Sequence, residues 1–294
     1  MIINRASLDA LFTNFRADYE AGALAAASLK DRIAMTVPSA TREETYGWLG
    51  NNNRLREWAG DRVIKNLTAE GFTITNRNFE NTVSVSRNDI EDDRVGVYSG
   101  AMKMMGQDAA LHPDELIFEL LRSGTTQKCY DGQYFFDTDH PVNPDSPSAG
   151  TVSNADMTNA TGAPGWVLLD TSKVIKPFIF QRRKDYSFVA KDQDSDENVF
   201  MRNEYVYGVD ARVNAGYGLW QLAYASDKTL DATNYATARA AMMALKAPTG
   251  KPLGIKPDLM LVAPSFEGAA LQLLNLDTSH YRGTVELIVC PWMA

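Results

Sequence analysis

Between Arg94 and Gly124 the chain reads as one long helix, and any fold it adopts has to accommodate that rod. Tyr98, Met102, Met105, Ala109, Leu116 and Leu120 recur at helical spacing along one side. Pro113 lies inside the pattern, where it must kink the helix or restart it, and Asp114 and Glu115 just beyond favour a restart. Unbroken, the element would run about 45 Å at roughly 1.5 Å per residue. Ahead of it, Asn88 and Asp89 occupy a capping position, with Glu91, Asp92 and Asp93 suited to the positive end of a helix. A helix of this length serves as a backbone for other elements.

The residues before the rod look unable to support themselves. Leu8, Leu11, Phe12, Phe15 and Tyr19 predict an amphipathic helix behind a Ser7 cap. The small, weakly patterned stretch up to Pro38 completes an extended arm, residues 1–43, with little core of its own. Trp48 and Trp58 then bracket an Asn/Arg-rich turn. "RVIKNL", a Glu70-Gly71 turn and "FTIT" read as a hairpin with Phe72 and Ile74 on one face, and "TVSVS" places Val83 and Val85 together. A hairpin this poor in large apolar residues is marginal in water. It needs a neighbour, and the chain offers no obvious one, which points to an assembly.

Beyond the rod, residues 141–165 hold little to bury and read as one long loop. "WVLLD", "VIKPFIFQRR", "YSFVA", "EYVYGVDARV" and "YGLWQLAYA" are strand-like, with "KDQDSDENVF" an acidic loop among them. A helix over Thr233–Lys246 stops at Pro248 and Gly250. "DLMLVA", "SFEGAALQLL" and "TVELIVC" then predict strand, helix and strand, a small α/β unit. The class expected is α+β.

With 294 residues, 45% hydrophobic and 22% charged, the chain has the profile of a folded domain that can bury a full core. Its longest apolar runs fall far short of the roughly 20 residues of a membrane span. The start, "MIINRASLDALF", lacks the basic region and apolar core of a secretory signal. Cys129 and Cys290 are too few for a disulfide framework or a four-cysteine zinc site. A net charge of −8 argues against a surface built to grip phosphates.

The usual catalytic motifs are absent: no nucleophile elbow, HExxH helix, EF-hand loop or CxxC pair. "PTGKPLG" lacks the first glycine of a phosphate loop. The stretch "KCYDGQYFFDTDHP" gathers Cys129, Asp131, Asp137, Asp139 and His140, which could hold a metal or activate a thiol. Yet Asp139 and His140 are adjacent, so extended backbone points them to opposite faces. A thiol nucleophile would need His112 or His280, neither in a recognisable setting. The structural reading is an Asp131-Gly132 turn, anchors Tyr134, Phe135 and Phe136, turn caps Asp137 and Asp139, and a His140-Pro141 exit. No cofactor or metal is expected, and the alternative is a metal- or thiol-dependent hydrolase using Cys129, Asp137, Asp139 and His140. "KPFIFQRRK" interleaves Phe178 and Phe180 with cations as a single-strand nucleic-acid platform would, but in an acidic chain a strand with a charged end is the simpler reading. "MKMM", Met102 to Met105, reads as core filling.

"TYGWLG", "LREW", "SRNDIEDD", "HPDELIFELLRSG", "CYDGQYFFDTDHP", "KPFIFQRR", "NAGYGLWQLA" and "LGIKPDLMLVAP" occur in that order. From the first helix to about residue 276, the chain resembles the major head (capsid) proteins of Mu-like bacteriophages and prophages. The resemblance implies a Hong Kong 97-type shell subunit that forms hexamers and pentamers around double-stranded DNA without reading its sequence. It also implies an N-terminal arm over 1–43, an E-loop hairpin over 44–87, a peripheral domain over 88–228 with a spine helix near 94–124, and an axial domain over 229–294. Contacts between subunits would fall on Phe12, Phe15, Trp48, Trp58, Phe72 and Ile74. Implied partners are other copies of the chain, a scaffold or head protease, a portal and decoration proteins. The implied location is the virion, after assembly in the host cytoplasm, with no membrane.

Overall fold

In the computed structural model, which describes residues 3–294 except 48, 50–70, 143–149, 160–161, 194, 249 and 276–278, the opening helix α1 spans Arg5–Ala25. Its cap is Asn4, not the expected Ser7. Asn4 Oδ1 accepts from Ser7 N at 2.9 Å while Ser7 Oγ accepts from Asn4 N at 3.0 Å, a reciprocal pair that satisfies two otherwise orphaned amides. One turn of helix, α2 (Lys30–Ile33), leads into strand β1 (Ala34–Pro38). Strands β2 (Glu43–Tyr46) and β3 (Phe72–Thr75) pair antiparallel, with Tyr46 opposite Phe72. Strand β4 (Arg77–Ser86) and the short α3 (Arg87–Glu91) follow. The chain then turns through Asp93, at φ 57°, into α4 (Gly96–Arg122).

The expected rod is therefore present, 27 residues long and about 40 Å from end to end. It does not restart at Pro113, because the helix runs through the proline. Buried Asp114 caps a neighbour instead: it accepts from Ser28 Oγ at 2.9 Å and Leu29 N at 2.8 Å, tying the entry to α2 against the rod.

The stretch expected as one long loop carries three two-residue strands, β5 (His140–Pro141), β6 (Thr151–Val152) and β7 (Ala155–Asp156). Strand β8 (Trp166–Leu169) is buried throughout. "FIFQRRKDYSFVAK" is one strand, β9 (Phe178–Lys191), where two were expected. Helix α5 (Glu197–Arg202) turns it back into the equally long β10 (Glu204–Tyr217). Then come β11 (Ala223–Ser226), α6 (Ala232–Met243), β12 (Leu259–Val262), α7 (Glu267–Leu274) and β13 (Glu286–Val289).

Two larger sheets result. The first has the order β1-β9-β10-β4, with β1 parallel to β9 and the other pairs antiparallel. The second has the order β13-β12-β8-β11-β7. Every residue of β8, β11 and β12 is buried, the signature of strands covered on both faces. The α/β unit expected over 229–294 is thus real but larger. It draws β7, β8 and β11 from residues 155–226, which corrects the border expected at 228/229. An all-apolar strand carries no sign of which sheet it will join. The second half of α4, through Leu116, Ile117, Phe118 and Leu121, shares one core with both sheets.

Helix α1 packs against α4 and the first sheet. Leu8, Leu11 and Phe15 join Val85, Ile90, Met102, Tyr205 and Tyr207 in one buried cluster, and Tyr19 joins Met105, Ala109 and Val209 in another. Phe15 meets Tyr207 edge-on at 5.0 Å, and Phe12 and Tyr19 stack on Phe188 at 5.7 and 5.2 Å. Two glycines set the helix separation. A Cβ on Gly22 would lie 1.9 Å from Lys103 O, and one on Gly106 would lie 1.9 Å from Tyr19 O. With β1 also paired to β9, residues 5–38 are built into the subunit, which corrects the expectation of an arm with little core of its own.

The hairpin expectation is corrected in the same way. β4 is paired along its length with β10, Val85 opposite Tyr205 and Phe79 opposite Ala211. The partner of β3 is β2; "RVIKNL" lies outside the described residues. The β2–β3 base rests on β9 through buried Gln181, whose Oε1 accepts from Tyr46 Oη at 2.7 Å. Its Nε2 donates to Ile74 O at 3.0 Å and Asn76 Oδ1 at 2.9 Å. Ile74 fills the space left by Gly216, where a Cβ would meet Ile74 Cδ1 at 2.3 Å.

Gly106→Ala should therefore lower the stability of the subunit by about 3 kcal/mol, since overpacking against fixed backbone typically costs ~1–3 kcal/mol or more. Gly100→Ala, on the same helix with nothing within 4 Å of the new methyl, should raise it by roughly 1 kcal/mol. Urea unfolding of both variants checks the contrast, and equal effects would contradict the crossing. Gln181→Leu should cost about 2 kcal/mol or more, because a buried group stripped of its partner loses ~1–3 kcal/mol. Tyr46→Phe, which removes a single bond, should cost about 1 kcal/mol in the same measurement.

Candidate functional site

The six residues expected to meet neighbouring subunits fall into three groups. Phe15 and Ile74 are each only 3% exposed and are used inside the chain, which corrects their assignment: little of either side chain is left for another subunit. Phe12 and Phe72 are half-buried, Phe12 on Phe188 and Phe72 beside Tyr217 at 6.2 Å. Trp48 and Trp58 lie outside the described residues. What the structure adds is their setting. They belong to the segment of chain that joins β2 to β3, and the base of those two strands is locked by Gln181 and by Glu44. The Glu44 carboxylate accepts from Ala40 N at 2.8 Å and Ser39 Oγ at 3.0 Å, and these bonds hold its pKa below the usual range.

The stretch "KCYDGQYFFDTDHP" follows α4 and turns sharply at Gly132, φ 84°. Phe135 and Phe136 are buried anchors as expected, and Phe135 stacks on Tyr217 at 4.4 Å. Tyr134 is 42% exposed, so its side chain is not the buried anchor expected. Asp137 accepts from Tyr134 N at 3.1 Å and Thr138 N at 2.7 Å, so it does cap the turn. His140 is fully buried, not merely the exit to a loop. Its Nδ1 lies 2.7 Å from Asp131 Oδ2 and its Nε2 lies 3.2 Å from Asn154 Oδ1. The ring stacks on Trp220 at 3.9 Å with 10° between the planes.

Cys129 thus has partners that sequence spacing did not disclose. Its Sγ donates to Asp131 Oδ1 at 3.0 Å. The geometry nonetheless fails as a hydrolase centre. Burial pushes the Cys129 thiol pKa up, with the Asp131 charge adding to it, whereas a nucleophilic cysteine needs it lowered. His140 addresses Asp131 rather than the sulfur. Burial disfavours the Asp131 charge, yet the His140 hydrogen bond holds that carboxyl below its ordinary range. Asp137 and Asp139 are not among the side chains whose donor atoms converge here, which are Cys129, Asp131 and His140. His112 sits apart, with Nδ1 at 2.5 Å from Tyr186 Oη and its ring against Phe79.

No aromatic platform for nucleic acid exists on "KPFIFQRRK", since Phe178 and Phe180 are buried. Met102 and Met105 are core, as their spacing implied. Among the described residues, no helix is long and apolar enough to cross a membrane.

Residues 8–293 match the family described as Mu-like prophage major head subunit gpT. The major capsid protein of Escherichia phage Mu is 41% identical over 306 residues, covering the whole of both chains. The Mu-like prophage FluMu major head subunit of Haemophilus influenzae is 44% identical over 298 residues, 97% of each. Among solved structures, the chain matches the procapsid of bacteriophage JBD30 with a TM-score of 0.86 and 42% identity, over 99% of this chain and 100% of that one. It matches the JBD30 capsid with a TM-score of 0.78 and 32% identity over all of both chains. The mixed helix-and-sheet fold is therefore the phage-capsid fold expected from the sequence, and the hydrolase reading falls. The chain belongs to the Mu-like prophage major head subunit gpT family and is a major capsid protein, a structural subunit of a phage head.

Proposed function

We propose that copies of this chain assemble as hexamers and pentamers into an icosahedral shell, and that residues 47–71, with Trp48 and Trp58, dock on the adjacent subunit. The observation that carries this reading is the β2–β3 base. Its own apolar residues, Tyr46 and Ile74, are consumed against Ile179 and Leu49 inside the subunit, so contact with a neighbour is assigned to the segment between the strands, which carries both tryptophans. Half-buried Phe12 and Phe72 supply the secondary contacts. A closed shell is the setting in which such loops gain a partner, because every copy offers the same receiving surface.

The shell encloses double-stranded DNA without reading it. A net charge of −8 supports an inner wall that does not hold the packaged genome by phosphate contacts. Assembly takes place in the host cytoplasm, with a scaffold or head protease and a portal. A JBD30 capsid that this chain resembles at 32% identity is decorated with minor capsid protein trimers, which supports decoration of this shell as well. The peripheral and axial regions correspond to the first and second sheet, with the border between them running through residues 155–226 rather than after 228.

Replacing residues 50–70 by a short Gly-Ser linker leaves β2, β3 and Gln181 in place. The variant should remain folded by circular dichroism yet accumulate as soluble capsomers or monomers in sedimentation. Closed shells from it would refute the docking role. Free subunits should bind duplex DNA more weakly than the ~10⁻⁴–10⁻⁶ M of ordinary non-specific binders at physiological salt. Micromolar binding with a steep salt dependence would contradict the repelling inner wall.

A further inference from the structure

We propose that Cys129, Asp131 and His140 form a structural binding site for one divalent cation of borderline softness, with Zn²⁺ the best fit. The three donor atoms lie within 4.8 Å of one another. Two of the ligands sit either side of Tyr130 and the third returns to them because the chain reverses at Gly132, φ 84°. A thiolate, an imidazole and a carboxylate are the donors zinc takes in proteins. Their charges also fit, since one thiolate and one carboxylate neutralise a divalent ion, and a neutral set is what a buried site requires. The Cys129 side chain and its partners are almost wholly enclosed, with the Asp131 and His140 side chains 3% and 0% exposed.

The surrounding bonds orient the histidine as a ligand. Asn154 Nδ2 donates to Phe135 O at 2.8 Å and to Trp220 O at 3.3 Å, so its Oδ1 is the atom facing His140. That oxygen also accepts from Asp137 N at 2.9 Å. An acceptor at 3.2 Å from Nε2 keeps a proton on that nitrogen, and this assignment follows from the hydrogen-bond network. Without metal, Nδ1 shares a proton with Asp131 Oδ2 at 2.7 Å; once that proton leaves, the lone pair of the neutral ring resides on Nδ1, on the Asp131 side of the ring. An acceptor on the far ring nitrogen that sets the tautomer, with Trp220 holding the ring plane, is the arrangement found around metal-bound histidines.

Binding balances simply. The cation takes the place of the Cys129 thiol proton and the proton held between His140 Nδ1 and Asp131, and both protons leave to solvent. Three protein ligands come from residues 129–140, a solvent molecule would complete a tetrahedral ion, and the groups that hold His140 reach Trp220 beyond β10 and Asn154 in the β6–β7 link. The ion would therefore staple the exit of α4 to the second sheet. It is not catalytic, and Asp137 and Asp139 have no part in it.

The test uses the purified full chain, freed of metal with a chelator, then equilibrated with Zn²⁺ or Co²⁺ at pH 7.5 and dialysed. Elemental analysis should find one ion per chain, and the Co²⁺ form should show thiolate-to-cobalt charge-transfer absorption in the near ultraviolet. Cys129→Ser, which keeps a donor to Asp131 and so the fold, should lose that absorption and the stoichiometric ion. Asp137→Ala should keep both, and Asn154→Ala should weaken metal affinity about 10–100-fold. Circular dichroism confirms that each variant is folded. A substoichiometric ion, or one that Cys129→Ser retains, would mean an adventitious ion only and would overturn the site. Shell formation is scored separately on the same samples, so failure of the metal site leaves the assembly role standing.

Discussion

The subunit is organised by one close approach, the point where Gly22 and Gly106 bring α1 and α4 together without intervening side chains. A helix pair that touches backbone to backbone has its distance fixed, and the aromatic side chains around it must fit that distance. Phe12, Phe15 and Tyr19 on one side meet Phe188 and Tyr207 on the other, so the first sheet is positioned by the same crossing. Further along α4, Asp114 fixes the entry to α2 and β1, and the last turns supply Ile117, Phe118 and Leu121 to the core shared with the second sheet. The rod is a spine in the mechanical sense: both sheets are placed by where they meet it.

This arrangement explains how a capsid subunit can be both rigid and open to partners. Among the described residues, Phe15 and Ile74, which the sequence alone suggests for neighbours, are consumed internally, while Leu24, Val174 and Phe200 remain exposed. The β2–β3 base, which flanks residues 47–71 in the chain, is locked onto β9 by Gln181. The Gln181 amide satisfies Tyr46, Ile74 and Asn76 at once, so the direction of the two strands is specified more sharply than apolar packing would manage.

Sequence periodicity made the local elements legible and their partners much less so. The rod is readable because Met102, Met105, Ala109 and Leu116 keep helical spacing for about four turns. α1 was equally readable as a helix, but its burial was not, since Gly22 carries no apolar signal and counts only when another backbone arrives. "TVSVS" alternates like an exposed hairpin strand because β4 is the edge of its sheet, where one face is wet. In the Cys129 stretch the donor types are legible but not which of them meet. Of its five candidate donors, Asp137 and Asp139 stay outside the cluster, whereas Asp131 and His140, nine positions apart and joined by a glycine turn, converge with Cys129. Asn154 and Trp220, which hold His140, sit in segments with no motif at all. Only the family resemblance, carried by short segments spread over nearly the whole chain, reached from these local readings to a shell.

The proposal on which the assembly role rests is that residues 47–71 of each subunit dock on its neighbour. High-resolution electron cryomicroscopy of assembled particles tests it most directly. The account predicts Trp48 and Trp58 within about 4–4.5 Å of apolar side chains of the adjacent subunit, the ordinary contact distance, and α1 still packed on the α4 of its own chain. A loop folded back on its own subunit, or an α1 exchanged between subunits, would contradict it.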